Sequence, residues 1–319
     1  AAVADNYVAR YVDAFGTSAL AGLRIGIDLH SAVGRDLMVR IFESLGAECH
    51  PFRRVERFVA VDTEALDAED VARARTLISD KRLDAVVSTD GDGDRPLVID
   101  DTGRQINGDV LGVLTARAIG AKTVITPLSS TSAIEQSGWF AVVERTRIGS
   151  PYVVAGMAAA TLHPVVGFEA NGGFLLQDDV SLANGILKRL PTRDAVLPAV
   201  ACLTFARQKG QTLSALAATL PSRFMKADRV KDVAADRGRA FLESLESSGD
   251  FRAGFDARIT SPVEISTLDG VRMALGNGDT VHFRQSGNAP EMRIYVETGA
   301  MAVTDALLGE LIEKLKARF

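Results

Sequence analysis

Three aspartates alternate with two glycines directly after an apolar segment, in the run Asp90-Gly-Asp-Gly-Asp-Arg95. Carboxylates this close together repel one another, and a bound hard cation is the simplest way to stabilise them. Glycine has no Cβ, so the backbone can wrap closely around an ion. A ligand set made only of oxygen favours Mg²⁺ over zinc. We therefore predict a Mg²⁺ site held by Asp90, Asp92 and Asp94, with Arg95 beside it to pair with a phosphate.

This run has two other interpretations. A solvated acidic turn is the simpler one, but ligands gather at the carboxyl ends of parallel strands, where this run is predicted to lie. A calcium-binding helix–loop–helix needs glycine at loop position six and glutamate at position twelve. Arg95 and Asp101 stand at those positions, and a strand rather than a helix is predicted before the loop. The calcium loop is therefore rejected.

A second polar loop joins two predicted strands near the C-terminus, in the run Arg284-Gln-Ser-Gly-Asn-Ala-Pro-Glu-Met-Arg293. Ser286 and Asn288 offer side-chain hydrogen-bond donors, and Gly287 frees the backbone to form a nest of N–H groups. Arg284 and Arg293 add two fixed positive charges, and such a set suits a phosphate dianion. An ordinary hairpin loop is the alternative, since glycine and asparagine are common there.

A third candidate is the run Gly167-Phe-Glu-Ala-Asn-Gly-Gly173. Glu169 and Asn171 alternate along what we predict to be an extended segment flanked by glycines. Side chains that alternate in this way point to the same side of the chain, so the two could bind vicinal hydroxyl groups. A polar turn without a ligand is the alternative.

Rigid elements must hold these loops, and apolar patterns predict where they lie. Near-continuous apolar runs indicate buried parallel strands, and helical spacing indicates helices. The first set comprises helices at Val3–Phe15, Arg35–Leu45 and Asp67–Arg82 and strands at Leu23–Leu29 and Leu83–Thr89. A similar second set comprises helices at Asp109–Ile119 and Arg193–Gln208 and strands at Lys122–Thr126 and Ala141–Arg145.

The pattern changes after Pro221, where strands alternate with turns before a final helix. The expected elements are strands at Arg258–Thr260, Gly270–Leu275, Thr280–Phe283 and Arg293–Glu297 and a helix at Ala302–Arg318. We predict an α/β protein: two similar α/β domains with mixed, mainly parallel sheets, followed by a C-terminal α+β domain with an antiparallel sheet. The predicted parts are a linker helix (1–16), a domain with the predicted metal loop (17–104), a domain with the Glu169 and Asn171 loop (105–220) and a domain with the predicted phosphate loop (221–319).

Composition excludes several classes of protein. The chain has 319 residues, of which 47% are hydrophobic and 24% charged, which is ordinary for a globular protein. The net charge of −5 argues against nucleic acid or a membrane as partner. Cys49 and Cys202 lie far apart, and the first fifteen residues lack a basic segment followed by an apolar one. These features predict a cytoplasmic protein with two buried, reduced thiols.

Taken together and in this order, the three loops resemble those of the α-D-phosphohexomutases, the phosphomannomutase/phosphoglucomutase family. The resemblance spans essentially the whole chain. It implies interconversion of hexose 6-phosphate and hexose 1-phosphate, of mannose or glucose, through a phosphoserine and a bisphosphate intermediate. It also implies Mg²⁺ as cofactor and a phosphorylated hexose as substrate.

The resemblance also implies a role for each matching residue. Asp90, Asp92 and Asp94 would bind Mg²⁺, and Arg95 would be a catalytic neighbour of the phosphoserine. Glu169 and Asn171 would bind sugar hydroxyls. The non-reacting phosphate would be held by Arg284, Ser286, Gly287, Asn288 and Arg293. Asn171 replaces the usual serine and Asn288 the usual threonine, which keeps the capacity to form hydrogen bonds.

One expected loop is absent from the sequence. Members of the family carry a first domain with a Thr-Ala-Ser-His-Asn-Pro-like loop whose serine is phosphorylated, and no Ser-His pair occurs here. We therefore expect this chain to lack that domain, to need it in cis, and to be inactive as a mutase alone. One alternative is a domain-deleted module that binds sugar phosphates without turnover. Another is a different metal-dependent enzyme, such as a phosphatase or nucleotide-sugar transferase.

Overall fold

The computed structural model describes residues 2–64, 66–287 and 289–319. The chain divides into two compact units, which are described separately. The first comprises Ala1–Ser130, Ser137–Arg145 and Gly149–Leu220, and the second Thr131–Gln136, Thr146–Ile148 and Pro221–Phe319. The division into a linker helix and three domains stays a prediction.

The first sheet carries the acidic loop. Its elements and the helices around it are α1 (Ala2–Phe15), β1 (Arg24–His30), α2 (Arg35–Ser44), β2 (Glu48–Arg54), α3 (Ala68–Lys81), β3 (Ala85–Thr89), β4 (Pro96–Asp100) and β5 (Gln105–Ile106). The strand order is β2-β1-β3-β4-β5. Strand β1 runs parallel to both β2 and β3, and β4 turns back antiparallel to β3. Strand β3 is buried along its whole length, which fits the near-continuous apolar run that precedes the acidic loop.

The second sheet follows in the chain. Its stretch contains α4 (Gly108–Ala118), β6 (Thr123–Pro127), α5 (Ala133–Gln136), β7 (Val142–Thr146), α6 (Ser150–Ala159), β8 (Val165–Phe168), β9 (Phe174–Leu176), β10 (Val180–Ser181), β11 (Ile186–Leu187), α7 (Val196–Gln208) and α8 (Leu213–Ala217). The strand order is β7-β6-β8-β9. Strands β6 and β8 are parallel, whereas β9 pairs antiparallel with β8. The β8–β9 turn carries the third candidate loop.

The third sheet is antiparallel throughout. Its elements are β12 (Phe224–Lys231), α9 (Ala235–Ser247), α10 (Gly249–Phe255), a 3₁₀ turn (Ala257–Ile259), β13 (Glu264–Ser266), β14 (Val271–Ala274), β15 (Thr280–Gln285), β16 (Glu291–Thr298) and α11 (Met301–Arg318). The strand order is β12-β16-β15-β14-β13. Helices α9 and α11 cover one face, where Phe241, Phe283 and Leu311 are buried in a single apolar core. The second candidate loop joins β15 to β16.

The predicted fold class is confirmed: two mixed α/β sheets precede an antiparallel one. The local predictions for Arg258 and Cys49 are wrong. Arg258 lies in a 3₁₀ turn rather than a strand, because the Asp256 side chain accepts its backbone N–H at 2.9 Å and so caps a helical turn. Cys202 is buried as expected, but Cys49 is only partly buried.

Side-chain caps fix several helix ends. Asp67 accepts the N–H of Asp70 at 2.8 Å before α3, and Ser248 accepts that of Phe251 at 3.1 Å before α10. Such caps satisfy N–H groups that have no partner inside the helix. Helix α11 is the longest, at 18 residues. Across the described part of the chain, no helix combines the length and apolar character needed to cross a membrane.

Candidate active site

The acidic loop connects β3 to β4 and is folded around one carboxylate. Oδ1 of Asp90 accepts three backbone N–H groups at 3.0 to 3.1 Å, those of Gly93, Asp94 and Arg95. Gly93 has a φ of +80°, which glycine adopts without the steric cost that a Cβ imposes. The glycine therefore permits the turn that wraps the backbone around Asp90.

The three carboxylates fit a hard cation. One oxygen from each of Asp90, Asp92 and Asp94 lies within 4.8 Å of the others. Burial raises the pKa of Asp90, and the neighbouring carboxylates raise it further. Oδ1 of Asp94 is buried and has no hydrogen-bond partner among the described residues. Because an unsatisfied carboxylate oxygen in an oxygen-only set matches the ligands that Mg²⁺ prefers, these residues fit that ion.

The segment with Glu169 and Asn171 is a tight turn, and the prediction of an extended segment is wrong. Strand β8 ends at Phe168, and the N–H of Gly172 donates to the carbonyl oxygen of Glu169 at 2.9 Å. Gly172 has a φ of +87°, which reverses the chain. Oδ1 of Asn171 accepts the N–H of Gly173 at 3.0 Å. Asn171 thus uses its oxygen to close the turn, and its amide N–H₂ is the group left for a ligand.

An arginine that the motifs did not include, Arg193, lies between Glu169 and the acidic loop. Nε of Arg193 lies 3.1 Å from Oδ2 of Asp94, and its Nη1 lies 4.0 Å from Oε2 of Glu169. Nε of Arg95 lies 3.8 Å from Oδ2 of Asp90 and 3.7 Å from Oδ1 of Asp94. Burial raises the pKa of Glu169, while the two arginines oppose this rise. The structure therefore joins the acidic loop, Glu169 and two guanidinium groups in one cluster.

The predicted phosphate-binding residues lie at the turn between β15 and β16. Arg284 and Arg293 stand opposite each other in the register of the two strands. Ser286 donates its backbone N–H to the facing strand at 2.9 Å, and Gly287 follows in the turn. Asn288 lies outside the described residues. Their role in binding phosphate stays a prediction.

Both predicted phosphate arginines are already paired with carboxylates. Nε of Arg284 donates to Oδ2 of Asp269 at 2.8 Å. Arg293 donates from Nε and Nη2 to Oε1 of Glu291 at 2.9 and 2.7 Å, and this bonding lowers the pKa of Glu291. A bound phosphate would share these guanidinium groups with their partners.

A third arginine, Arg229 on β12, lies opposite Arg293. Its Nε is 3.7 Å from Oε2 of Glu291. Residues that are directly opposite in antiparallel strands share a face, so Arg229, Arg293 and Arg284 form a row across three strands. No strand was predicted at β12, and Arg229 was therefore not among the predicted site residues. The residues of β12 are mostly exposed and half of them are polar, so the strand shows no alternation of apolar and polar residues that would have predicted it.

A buried histidine supports the partner of Arg284. Nε2 of His282 lies 2.6 Å from the carbonyl oxygen of Asp269. Because a carbonyl oxygen only accepts, Nε2 must carry the proton. Burial lowers the pKa of His282 to about 4, so the ring is neutral near pH 7. The Asp269 carboxylate also accepts the N–H of Ile148 at 3.0 Å, which fixes the group that Arg284 contacts.

This histidine predicts an acid-sensitive stability. The ordinary pKa of 6.5 applies in the unfolded chain, and the folded value is about 4, so the unfolded chain binds the extra proton between these values. The contribution of His282 to the free energy of unfolding is therefore largest above pH 6.5, and it falls as the pH drops towards 4. We expect this group to cost about 2 kcal/mol between pH 7 and pH 5. Urea unfolding of the wild type and of His282→Gln at both pH values measures it.

The comparison between the two proteins isolates the histidine, since carboxylates titrate in both. His282→Gln should show the smaller loss of stability on acidification by that amount, whatever its stability at pH 7. Equal losses in the two proteins would contradict the prediction.

Comparison with known proteins agrees with the fold. The family models described as phosphoglucomutase/phosphomannomutase, alpha/beta/alpha domain II and domain III match residues 5–103 and 107–224. Together they cover more than half of the chain. The chain belongs to the α-D-phosphohexomutase family of phosphoglucomutases and phosphomannomutases.

Two bacterial phosphomannomutases are among its relatives. That of Salmonella muenchen is 38% identical over 318 residues, covering 99% of this chain and 66% of the relative. That of Sinorhizobium fredii is 39% identical over 309 residues, covering 96% of this chain and 65% of the relative. The chain thus spans just under two thirds of the length of these relatives.

Solved structures share the fold. A phosphoglucomutase/phosphomannomutase family protein from Burkholderia thailandensis superposes with a TM-score of 0.77 at 20% identity, covering 99% of this chain and 64% of that chain. The N-acetylphosphoglucosamine mutase of Aspergillus fumigatus, solved with GlcNAc-6P and magnesium, gives a TM-score of 0.62 at 16% identity, covering 99% and 66%.

Proposed function

We propose that this chain is the larger, C-terminal part of a phosphohexomutase that interconverts the 6-phosphate and 1-phosphate of mannose or glucose. One observation carries the proposal. The oxygens of Asp90, Asp92 and Asp94 lie within 4.8 Å of one another in a chain that is 38% identical to a phosphomannomutase. The N-acetylphosphoglucosamine mutase with a similar fold was solved with magnesium and a sugar phosphate, which supports the same ligand classes here.

The acidic loop is the proposed magnesium site. Asp90, Asp92 and Asp94 would hold the ion, which when bound supplies positive charge to a phosphoryl group during its transfer. Asp90 also orders the loop through its three backbone hydrogen bonds. Arg95 lies within 3.8 Å of two of these carboxylates, so its guanidinium is placed to pair with the same phosphoryl group.

The other two loops are the proposed substrate-binding loops. Oε2 of Glu169 is buried and has no hydrogen-bond partner in the described residues, so it can accept a bond from a sugar hydroxyl. Asn171 offers its amide N–H₂ beside it. On the hairpin, Arg284, Ser286, Gly287, Asn288 and Arg293 would hold the phosphate that does not react.

The phosphoryl donor is proposed to come from outside these 319 residues. A phosphoserine would pass its phosphoryl group to one sugar hydroxyl, giving a bisphosphate, and then accept a phosphoryl group from the other position. Positioning and charge neutralisation around the donor account for most of such catalysis. Since the sequence contains no Ser-His-Asn-Pro loop, we expect this chain to bind hexose phosphates without converting them.

The test measures binding and turnover by the same sample. With Mg²⁺ present, we expect glucose 1-phosphate and mannose 1-phosphate to bind in calorimetry, and no 6-phosphate to form even with glucose 1,6-bisphosphate added. The double variant Arg284→Ala/Ser286→Ala should lose about 100-fold or more in affinity, since charge-assisted bonds to phosphate are lost. Arg237→Ala on α9, which bonds to the chain's last two carbonyls, is the matched control and should bind as the wild type does.

Each outcome favours one hypothesis. Turnover at the rate of a complete mutase would overturn the proposed dependence on an external donor. Unchanged affinity in the double variant would favour a different metal-dependent enzyme. Binding without turnover that persists when a phosphoserine domain is supplied would favour a module that only binds sugar phosphates.

A further inference from the structure

A buried hydrogen-bond network around the next residue, Asp194, fixes the backbone beside Arg193. The neighbouring Asp194 has a side chain that is only 1% exposed. It accepts the hydroxyl of Tyr7 at 2.7 Å and that of Tyr11 at 2.6 Å, and it pairs with Arg10 at 2.8 Å. Helix α1 thus anchors the backbone at position 194 from the far end of the sequence. The N–H of Asp194 also bonds to the carbonyl oxygen of Phe174 at 2.9 Å.

A glycine makes room for the Arg193 side chain. A Cβ at Gly173 would lie 2.6 Å from Cδ of Arg193 and 3.0 Å from its Cγ, and the first of these distances is shorter than real Cβ contacts. The Arg193 side chain therefore packs directly against the β8–β9 turn. Its guanidinium lies between Asp94 and Glu169, with Nε 3.1 Å from Oδ2 of Asp94 and Nη1 4.0 Å from Oε2 of Glu169.

The Arg193 guanidinium has more N–H donors than its two carboxylate contacts use. Arginine carries five N–H groups, and the side chain is 30% exposed. Around it, Oε2 of Glu169 and Oδ1 of Asp94 are buried and lack hydrogen-bond partners within the described ranges. Unsatisfied buried polar atoms are costly, so this cluster is arranged for ligands in addition to its own ion pairs.

From this geometry we propose that Arg193 changes partner when the metal binds. Without the ion, it neutralises Asp94; with a divalent cation on Asp94, repulsion between the two cations weakens that ion pair. The released N–H groups then donate to the oxygen of a sugar hydroxyl of the hexose phosphate, next to Glu169. Resting on the proposed function, this assigns to Arg193 the coupling between metal binding and substrate binding. No bond is made or broken covalently.

The coupling has a specific signature in the Arg193→Gln variant. We expect Mg²⁺ to bind this variant about 3- to 10-fold more tightly, because a competing positive charge is gone, and glucose 1-phosphate to bind it about 10-fold or more weakly. In the wild type, saturating Mg²⁺ should tighten glucose 1-phosphate binding about 10-fold, and in the variant about 2-fold or less. For each protein, calorimetric titrations of Mg²⁺ and of glucose 1-phosphate, each with and without the other ligand, measure these four affinities.

Two further variants separate charge from structure. Arg193→Lys keeps the charge but not the planar fork, so it should keep the wild-type Mg²⁺ affinity and lose part of the coupling. Arg189→Gln removes an exposed arginine from the same segment and should leave every affinity unchanged.

The outcomes distinguish this inference from the proposed function. If Arg193→Gln weakens Mg²⁺ and glucose 1-phosphate alike, or keeps the wild-type coupling, the partner change is overturned while the proposed function stands. If the wild type binds neither ligand, the proposed function is overturned and the inference falls with it.

Discussion

Asp90→Asn is expected to lose Mg²⁺ binding by about 100-fold or more while leaving the folded protein as stable as before, or more stable. The asparagine carbonyl oxygen can keep the three backbone bonds that Oδ1 of Asp90 accepts at 3.0 to 3.1 Å. The substitution removes the negative charge of the Asp90 carboxylate, whose pKa is raised by burial and by two neighbouring carboxylates. Its removal relieves repulsion in the free protein and weakens the site for a cation.

Two measurements check this result: calorimetric titration with Mg²⁺ and urea unfolding in a chelator. Asp90→Ala should instead lose about 1–3 kcal/mol of stability, because it leaves the loop N–H groups without an acceptor. Asp80→Asn on α3 removes an exposed carboxylate and should change neither quantity. Wild-type Mg²⁺ affinity in Asp90→Asn would place the ion elsewhere.

The acidic loop could be predicted because its chemistry is contiguous. All three aspartates lie within five residues, and the apolar run before them predicted a buried strand. The hydrogen bonds that hold Asp90 are also local. The sequence therefore contained both the proposed ligands and the element that positions them.

Arg193 could not be predicted in this way. It is one of 36 lysines and arginines, about a hundred positions from Asp94, and its contacts depend on how β9 and the start of α7 pack. One signal was present: an aspartate directly before an apolar helix is typical of a helix cap. Asp194 does accept the N–H groups of Val196 and Leu197, at 3.1 and 3.2 Å. A capping aspartate fixes the residue before it, which here is Arg193.

The charge pairing of the two hairpin arginines was only partly visible in the sequence. Glu291 stands two positions before Arg293 on the same strand, whereas Asp269 lies in the β13–β14 turn and contacts Arg284 only in the folded sheet. Local pattern therefore predicts which residues can bind an anion. How much of their charge remains for the anion depends on tertiary contacts.

The β8–β9 turn with Glu169 rests directly on Gly108, the first residue of α4. The three atoms nearest to a Cβ at Gly108 would all be backbone atoms of that turn, including the Asn171 carbonyl carbon at 2.5 Å and the Ala170 oxygen at 2.6 Å. Backbone cannot rotate aside as a flexible side chain can. The position of Glu169 therefore depends on the absence of a side chain on the helix beneath it.

Gly108→Ala is accordingly expected to lose about 2–4 kcal/mol of stability, since it overpacks a contact with backbone on both sides. It should also weaken glucose 1-phosphate binding about 10-fold or more, because Glu169 moves with its turn. Gly309→Ala in α11 is the matched control: its Cβ meets no atom within 4 Å, and alanine should add about 0.5–1 kcal/mol there. Urea unfolding and calorimetry of both variants measure these effects. A Gly108→Ala protein as stable as the wild type would show that α4 and the turn can separate without cost, and the glycine would then have no part in positioning Glu169.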